Sequence, residues 1–469
     1  MTTKARILRL AILLMVPLLG ACTSVPRDAG VGEVENLIAT HLRPGFELPR
    51  NNRRGGLTEA ELTQVLDAPV GIVDAERIAL LRHPAVVRNL SRVGVAEADF
   101  AQAGRIRNPG FSYTRFSGRE YEASLLFDIG GLVLMPLRRE MQSRRLGTVR
   151  YAAAREILSH LQATRQAWIN AVAEKHIATT IRKAVASAEV THQLKVQMSE
   201  LGHSHRIDLA HSTLLLGDLR NTLKEQELAE LAAREALSRH LALIGDFHDK
   251  LDVPGQLPTL PATPRPTAEI DAKAISRRLD VRLAALNLES TGRNLELTRL
   301  NPFFSALELG PVVERTAGNS EGGVELEFHI PLFDTGAIKT QKARFIFEQA
   351  DAQAREVAIN AASQTRIALA NYRSRFDIAR YHQDVARPLR EQISREKLLR
   401  YNGMLISVFE LLDDARESLE AEVAAINSLR EFWQADSYLQ QALVGSSDAR
   451  MNFSGSGFTE SGQVTTDSH

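Results

Sequence analysis

The chain has 469 residues, and its 57 basic and 57 acidic side chains cancel, which excludes a global charge bias toward nucleic acid or an anionic membrane. With 44% hydrophobic residues it is too apolar for a disordered chain. Its slightly negative mean hydropathy excludes a bundle of transmembrane helices.

Lys4, Arg6 and Arg9 precede the apolar run Leu10 to Leu19, which is too short to span a bilayer. Residues 1–21 therefore read as a secretory signal that is removed. The run closes with Leu19-Gly20-Ala21-Cys22, and Cys22 is the only cysteine. This segment resembles a bacterial lipobox. The resemblance implies that Cys22 becomes the lipidated first residue, bearing palmitate-type acylation, and that Thr23-Ser24 after it direct the protein to the outer membrane. One lipidated end is a marginal anchor, so a second membrane attachment is expected. Beyond that covalent lipid, no cofactor and no metal is expected.

Residues 22–68 are polar and broken by Pro26, Gly45, Pro49 and Gly55-Gly56, the pattern of an extended arm. A helix is predicted over Val73 to Gln102, with Pro84 near its start, ending at the breaker Asn108-Pro109-Gly110. Two strands follow, Phe111 to Phe116 and Tyr121 to Ile129, joined at Ser117-Gly118. From Pro136 to Ser199 small and apolar residues recur every three or four positions, predicting a helix roughly 90 Å long. Such a helix buries its stripe only by packing beside others like it. After a turn at Leu201 to His205, a second long helix is predicted from Ile207 to Leu243.

Five prolines between Pro254 and Pro266 predict a stiff connector, residues 251–268. The programme of residues 69–250 then recurs over 269–444. A helix opens at Arg278-Leu279 and ends at Asn301-Pro302, strands occupy Phe303 to Arg315 and Val324 to Ile330, and Gly322-Gly323 form a strand entry. A long helix spans Thr335 to Leu399 with a kink at Pro388, Asn402-Gly403 turns the chain, and a closing helix reaches Leu443. The tail, residues 445–469, is rich in Ser, Gly and Thr and reads as disordered. The fold class is mainly α with a small β part: two copies of a long helical hairpin, each preceded by a strand pair.

The strands alternate. Leu125, Phe127, Ile129, Leu326, Phe328 and Ile330 fall on one face, with Glu122, Asp128, Glu325, Glu327 and His329 on the other. Four strands are too few to close a membrane barrel, whose smallest examples have about 8, and open edges facing lipid cost several kcal/mol per unpaired backbone group. Three chains supply about 12 strands, with the acidic residues toward a watery lumen. The first hairpin is short for a bilayer crossing, so either it begins inside the preceding helix or the barrel is thin there.

The duplicated Asn-Pro ends, Ile330-Pro331-Leu332-Phe333-Asp334-Thr335-Gly336, and Tyr401-Asn402-Gly403 followed by Ser407 to Asp413 resemble the outer membrane factor family, the TolC-type exit ducts. The resemblance covers about Val70 to Leu443. It implies a homotrimer with a 12-stranded β-barrel in outer-membrane lipid and a periplasmic α-barrel. It also implies a periplasmic adaptor docked at the turns around Gly202 and Gly403, an inner-membrane pump behind the adaptor, and no nucleic-acid partner. Asp208, Tyr401, Glu410 and Asp413 match the family's periplasmic gate, while Ile406 stands where the family's latch has an arginine. His203 and His205, with Asp208 and His211 nearby, read as a polar tip that docks a partner rather than a metal site. No nucleophile elbow, phosphate-binding glycine loop or zinc-protease helix is present, so no enzymatic activity is expected. A periplasmic adaptor lipoprotein is the alternative, distinguished by a single hairpin between β-rich flanks; a lipid-anchored hydrolase is a remoter one.

Overall fold

The computed structural model describes residues 25–445 except 40, 43–45, 50–56, 117–119, 202–205, 266–277, 305–306, 317–318 and 329–335. The signal segment, Cys22, Gly202, His203, His205, His329, the motif from Ile330 to Thr335 and the tail from residue 446 lie outside the described residues.

The arm is not extended throughout. It contains α1 (Val31–Ile38) and α2 (Glu59–Leu66). Thr58 starts α2 through a reciprocal cap: Glu61 N–H donates to Thr58 Oγ1 at 3.3 Å, and Thr58 N–H donates to Glu61 Oε2 at 2.8 Å. Val31, Val34, Ile38, Leu62 and Leu66 are buried in the main core. That apolar burial is what holds the arm down.

The helix expected over 73–102 is two, α3 (Ile72–Arg82) and α4 (Pro84–Ala103). Proline at the first position of α4 drives the residue before it out of the helical region, and His83 indeed has ψ 127°. After the strand pair β1 (Gly110–Arg115) and β2 (Tyr121–Asp128) comes α5 (Ile129–Glu200), 72 residues and about 108 Å long. Ile129, expected in a strand, is the first residue of α5, because the Asp128 carboxylate caps it by accepting the Gly131 N–H at 2.5 Å. α6 (Arg206–Leu241) returns beside it, and a single turn, α7 (Asp246–Asp249), follows.

The proline-rich connector is a strap rather than a free spacer. Leu251, Val253 and Leu257 are buried in the main core, Trp433 Nε1 donates to Pro258 O at 2.9 Å, and the Arg265 N–H donates to Tyr372 Oη at 3.1 Å. α8 (Leu279–Phe304) carries Pro302 in its last turn instead of ending before it. Then come β3 (Leu307–Thr316), β4 (Asn319–Phe328), α9 (Ala337–Tyr381), a π-turn over His382–Ala386, α10 (Arg387–Asn402) and α11 (Val408–Val444). Pro388 cannot donate to the carbonyl four residues back and crowds it. A wider turn just upstream absorbs the misfit, so the distortion precedes the proline.

The main core lies around the middle of α5, where Ile157, Leu161, Trp168 and Val172 meet α1 to α3, the end of α6 and the strap. A second cluster joins Tyr372 and Phe376 of α9 to Phe432 and Leu439 of α11. Arg278, 1% exposed, locks the base of the second half. Its guanidinium reaches Asp280 (2.7 Å), Ala361 O (3.1 Å), Thr365 Oγ1 (3.1 Å) and Ala442 O (2.5 Å), and a charge so buried needs such a full set of partners.

Candidate functional site

The four strands form one antiparallel sheet in the order β1-β2-β3-β4, with β2–β3 as the seam between the two halves of the chain. Residues opposite each other in an antiparallel pair share a face. Phe111 pairs with Leu125, Tyr113 with Ala123, Phe127 with Leu309, Leu309 with Leu326 and Pro311 with Val324, so one face is apolar. Within the single chain Phe111 is 72% exposed and Val324 74%.

The opposite face is acidic, and its carboxylates come in rows. Asp128, Glu308 and Glu327 align across β2, β3 and β4, as do Glu122, Glu314 and Glu321, and Glu325 faces Gly310. Like charges directly opposite cost stability, so this arrangement is not one that strand pairing alone favours. Glu122, Asp128, Glu325 and Glu327 thus fall on one face. Glu308 and Glu314, within the strand predicted over Phe303 to Arg315, join them, as does Glu321 from residues 316–323, which read as a loop in the sequence. Gly322 and Gly323, expected at a strand entry, lie inside β4 opposite Val313 and Val312. Asp128, besides capping α5, pairs with Arg107 at 3.4 Å.

Gly310 is needed where it stands. A Cβ there would lie 1.8 Å from Leu125 O, and the adjacent Pro311 has no N–H to give the ladder. The first hairpin is the shorter, with six residues in β1 and eight in β2 against ten each in β3 and β4. β1 starts at Gly110, clear of α4, so the sheet is narrower on that side rather than continuing into the helix.

At the far end of the long helices, His211 of α6 and Phe409 of α11 meet with ring centroids 4.7 Å apart, bringing the two turns together. Asp208 sits half-buried in the first turn of α6, where a carboxylate suits the helix dipole. Tyr401 is half-buried at the end of α10. Glu410 is exposed and caps its own helix, accepting the Ser407 N–H at 3.3 Å while its N–H donates to Ser407 Oγ at 3.3 Å. Ser407-x-x-Glu410 is the sequence signature of that cap. Asp413 is exposed.

The carboxylate that is buried and paired is its neighbour Asp414, 3% exposed, with Arg390 at 2.7 Å and Lys397 at 3.2 Å. Arg390 also reaches Glu417 at 2.7 Å. Arg390 and Lys397 stand seven apart on α10 and Asp414 and Glu417 three apart on α11, spacings that put each pair on one helix face. Between α5, α6 and α11 lies an open groove of about 350 Å³, lined by Ala184, Ala188, Leu215, Leu219, Leu412 and Leu419. Among the described residues no group of three or more His, Cys, Asp or Glu side chains could hold a metal ion.

No family model and no curated protein matches the chain. Solved structures do. The CmeC outer membrane channel of Campylobacter jejuni is 16% identical with a TM-score of 0.69, over 91% of this chain and 93% of that one. The MtrE outer membrane channel of Neisseria gonorrhoeae, in its open state, is 16% identical with a TM-score of 0.63, over 86% and 98%. The outer membrane protein VceC of Vibrio cholerae is 16% identical with a TM-score of 0.63, over 82% and 96%. This chain has the fold of an outer membrane factor channel. Within that fold the two-faced sheet and the paired turns stand at opposite ends of the long helices.

Proposed function

We propose that the protein is the outer-membrane exit duct of a tripartite efflux or secretion system. Three copies close a barrel of about 12 strands, with Phe111, Leu125, Leu309 and Leu326 toward lipid and Glu122, Glu308, Glu314, Glu321, Glu325 and Glu327 toward the lumen. Each chain contributes one of three equivalent sectors, and within a chain the two halves are duplicated versions of one unit. The helical hairpins reach about 100 Å into the periplasm, where a periplasmic adaptor meets the turns around Gly202 and Gly403 and joins the duct to an inner-membrane pump. Asp208, Tyr401, Glu410 and Asp413 line the closing end, and a lipid on Cys22 supplies a second anchor. The duct is passive and catalyses nothing.

The single observation that carries this reading is the sheet: apolar on one face, acidic on the other, with β1 and β4 as its two ends. Backbone groups at such ends are tolerated in hydrocarbon only when a neighbouring chain pairs with them. An adaptor is disfavoured because its one hairpin interrupts a β domain, whereas here both halves of the chain feed one membrane-type sheet through β2 and β3.

Purified from outer membranes in detergent, the mature protein should have the mass of three chains and give discrete conductance steps in planar bilayers. A water-soluble single chain without conductance sinks the reading.

A further inference from the structure

The chain is neutral overall, yet it is basic where its strands meet its helices. Arg105 and Arg107 stand between α4 and β1, Arg138 and Arg139 around the third turn of α5, and Lys339, Lys342 and Arg344 in the first turns of α9. Neither residues 100–115 nor residues 129–139 contain an Asp or Glu. Farther from the sheet the cations are matched within the chain: Arg144 pairs with Glu140 and Glu289, and Arg150 with Glu97.

Three of the junction cations line one cleft. Arg105, Arg107 and Arg138 surround it together with Asp128, Gly131 and Met135. α5 runs away from the sheet, and helical side chains lean toward the N-terminus of their helix. Arg138, about 15 Å along the axis from Asp128, therefore reaches back toward the strand end. Asp128 is the one carboxylate among the described lining residues, and it already accepts the Gly131 N–H at 2.5 Å and faces Arg107 at 3.4 Å. Three guanidiniums around one engaged carboxylate leave the cleft cationic, and guanidinium is the side chain best shaped for phosphate oxygens. Apolar side chains are exposed beside these cations: Ile106, between Arg105 and Arg107 in sequence, Val133 of α5, and Ile338, next to Lys339. Basic heads interleaved with apolar side chains suit the polar margin of a bilayer.

The position selects the ligand. On the duct reading above, which this inference deepens, the sheet crosses the bilayer and the helices run from it into the periplasm. The cleft then lies in the headgroup band of the periplasmic leaflet, a layer about 5–8 Å thick. We infer that Arg105, Arg107 and Arg138 form a binding site for the phosphate of an anionic phospholipid such as phosphatidylglycerol. Its acyl chains lie against the apolar face that begins at Phe111. A zwitterionic lipid is the poorer ligand, because it brings an ammonium group to a cationic cleft. Basic pockets at the edge of a membrane segment bind anionic headgroups on the same grounds.

The test measures binding of fluorescent phosphatidylglycerol and phosphatidylcholine to the full-length protein in uncharged detergent. The wild type should bind phosphatidylglycerol at least tenfold more tightly, each nearby cation contributing roughly fivefold. Arg105→Gln combined with Arg138→Gln should bring the two lipids within about twofold of each other, whereas lysine at both positions should keep the preference. Arg107 is left in place because its partner Asp128 caps α5. Arg220→Gln, which removes the same charge in the first hairpin far from the sheet, should change nothing. All variants should conduct in planar bilayers as the wild type does. The inference is overturned by a wild type without the preference, by a glutamine variant that keeps it, or by its loss in Arg220→Gln. Displacement of phosphatidylglycerol by an equal concentration of inorganic phosphate makes the cleft a site for the free anion and overturns the lipid assignment. Loss of conductance in the glutamine variant shows that the cations hold the duct together, and overturns it too. Each of these outcomes leaves the duct reading standing, whereas a wild-type protein that neither assembles as three chains nor conducts ends both.

Discussion

The two helical hairpins have the same outline and are held together differently. In the first, α5 runs unbroken to Glu200, and its buried apolar residues continue to Val185, facing Leu216 of α6 and Ile426 of α11. In the second, the buried stripe stops at Ala379 although the helical path continues to Asn402, a π-turn interrupts it, and α10 has no fully buried residue. Charge takes over there, with Arg390 and Lys397 on Asp414 and Glu417. Apolar packing is short-ranged and hard to slide, while an ion-pair cluster on a bent helix has alternative partners within reach. One hairpin is therefore built as a strut and the other as an adjustable arm.

The comparison is broken most severely at the shared base. Arg278→Ala removes the guanidinium from Asp280, Ala361 O, Thr365 Oγ1 and Ala442 O, and about 3–5 kcal/mol of stability should go with it. A shift of that size in the denaturation midpoint of the second half, or failure to accumulate, is the expected observation. Phe432→Ala in the neighbouring cluster should fall in the same range, about 3–5 kcal/mol.

Next comes pH. His83 at the α3–α4 break, His160 of α5 and His240 of α6 are in contact, with ring centroids 4.0 and 5.7 Å apart. Burial pushes the His160 imidazole down to about 4, and the other two rings add to the effect. His83 is also lowered, by burial first, against a hydrogen bond to the Arg239 backbone that raises it and with Arg88 adding to the lowering, and His240 by burial, then by His83 and Arg239. The unfolded chain takes up these protons near the ordinary value of 6.5, before the folded one does. Stability is thus fully present above 6.5 and lost as pH falls toward 4, by about 2–3 kcal/mol for His160 at most. Melting curves at pH 7.5 and 4.5 check this, and His160→Gln should flatten the difference.

The hairpins themselves are contrasted by a matched pair of changes. Arg390→Ala leaves the buried Asp414 with Lys397 alone, at a cost of about 1–3 kcal/mol. Arg220→Ala removes an exposed pair with Glu189 in the first hairpin and should cost under about 1 kcal/mol. Equal effects would contradict the division into strut and arm. The smallest effect belongs to Pro388→Ala. It allows a regular helix through 382–386 and should slow amide exchange there severalfold with a stability change under about 1 kcal/mol.

Periodicity alone delivered the long helices, their turns and the alternation that sorts Leu326 from Glu325, because those patterns depend only on local spacing. Capping is just as local: Thr58-x-x-Glu61 and Ser407-x-x-Glu410 are the signatures that start α2 and α11, and α2 stands where the residue pattern predicts an extended arm. Other features depend on what lies across a gap. The acidic rows needed the register of β3 against β4, and the pairing of Asp414 with Arg390 needed the phase of α11 against α10. The strap of residues 250–265 looked like a spacer because its few apolar residues find their partners only in the folded core.

The seam between β2 and β3 also sets an order of events. Tyr121 stands opposite Arg315 across the ladder, a partner synthesised about 190 residues later, and contacts so distant along the chain are slow to close. Helices can form as soon as their own residues emerge, but the four-stranded ribbon cannot exist until most of the polypeptide has been made. The two-faced ribbon is therefore the last part of the fold to be completed.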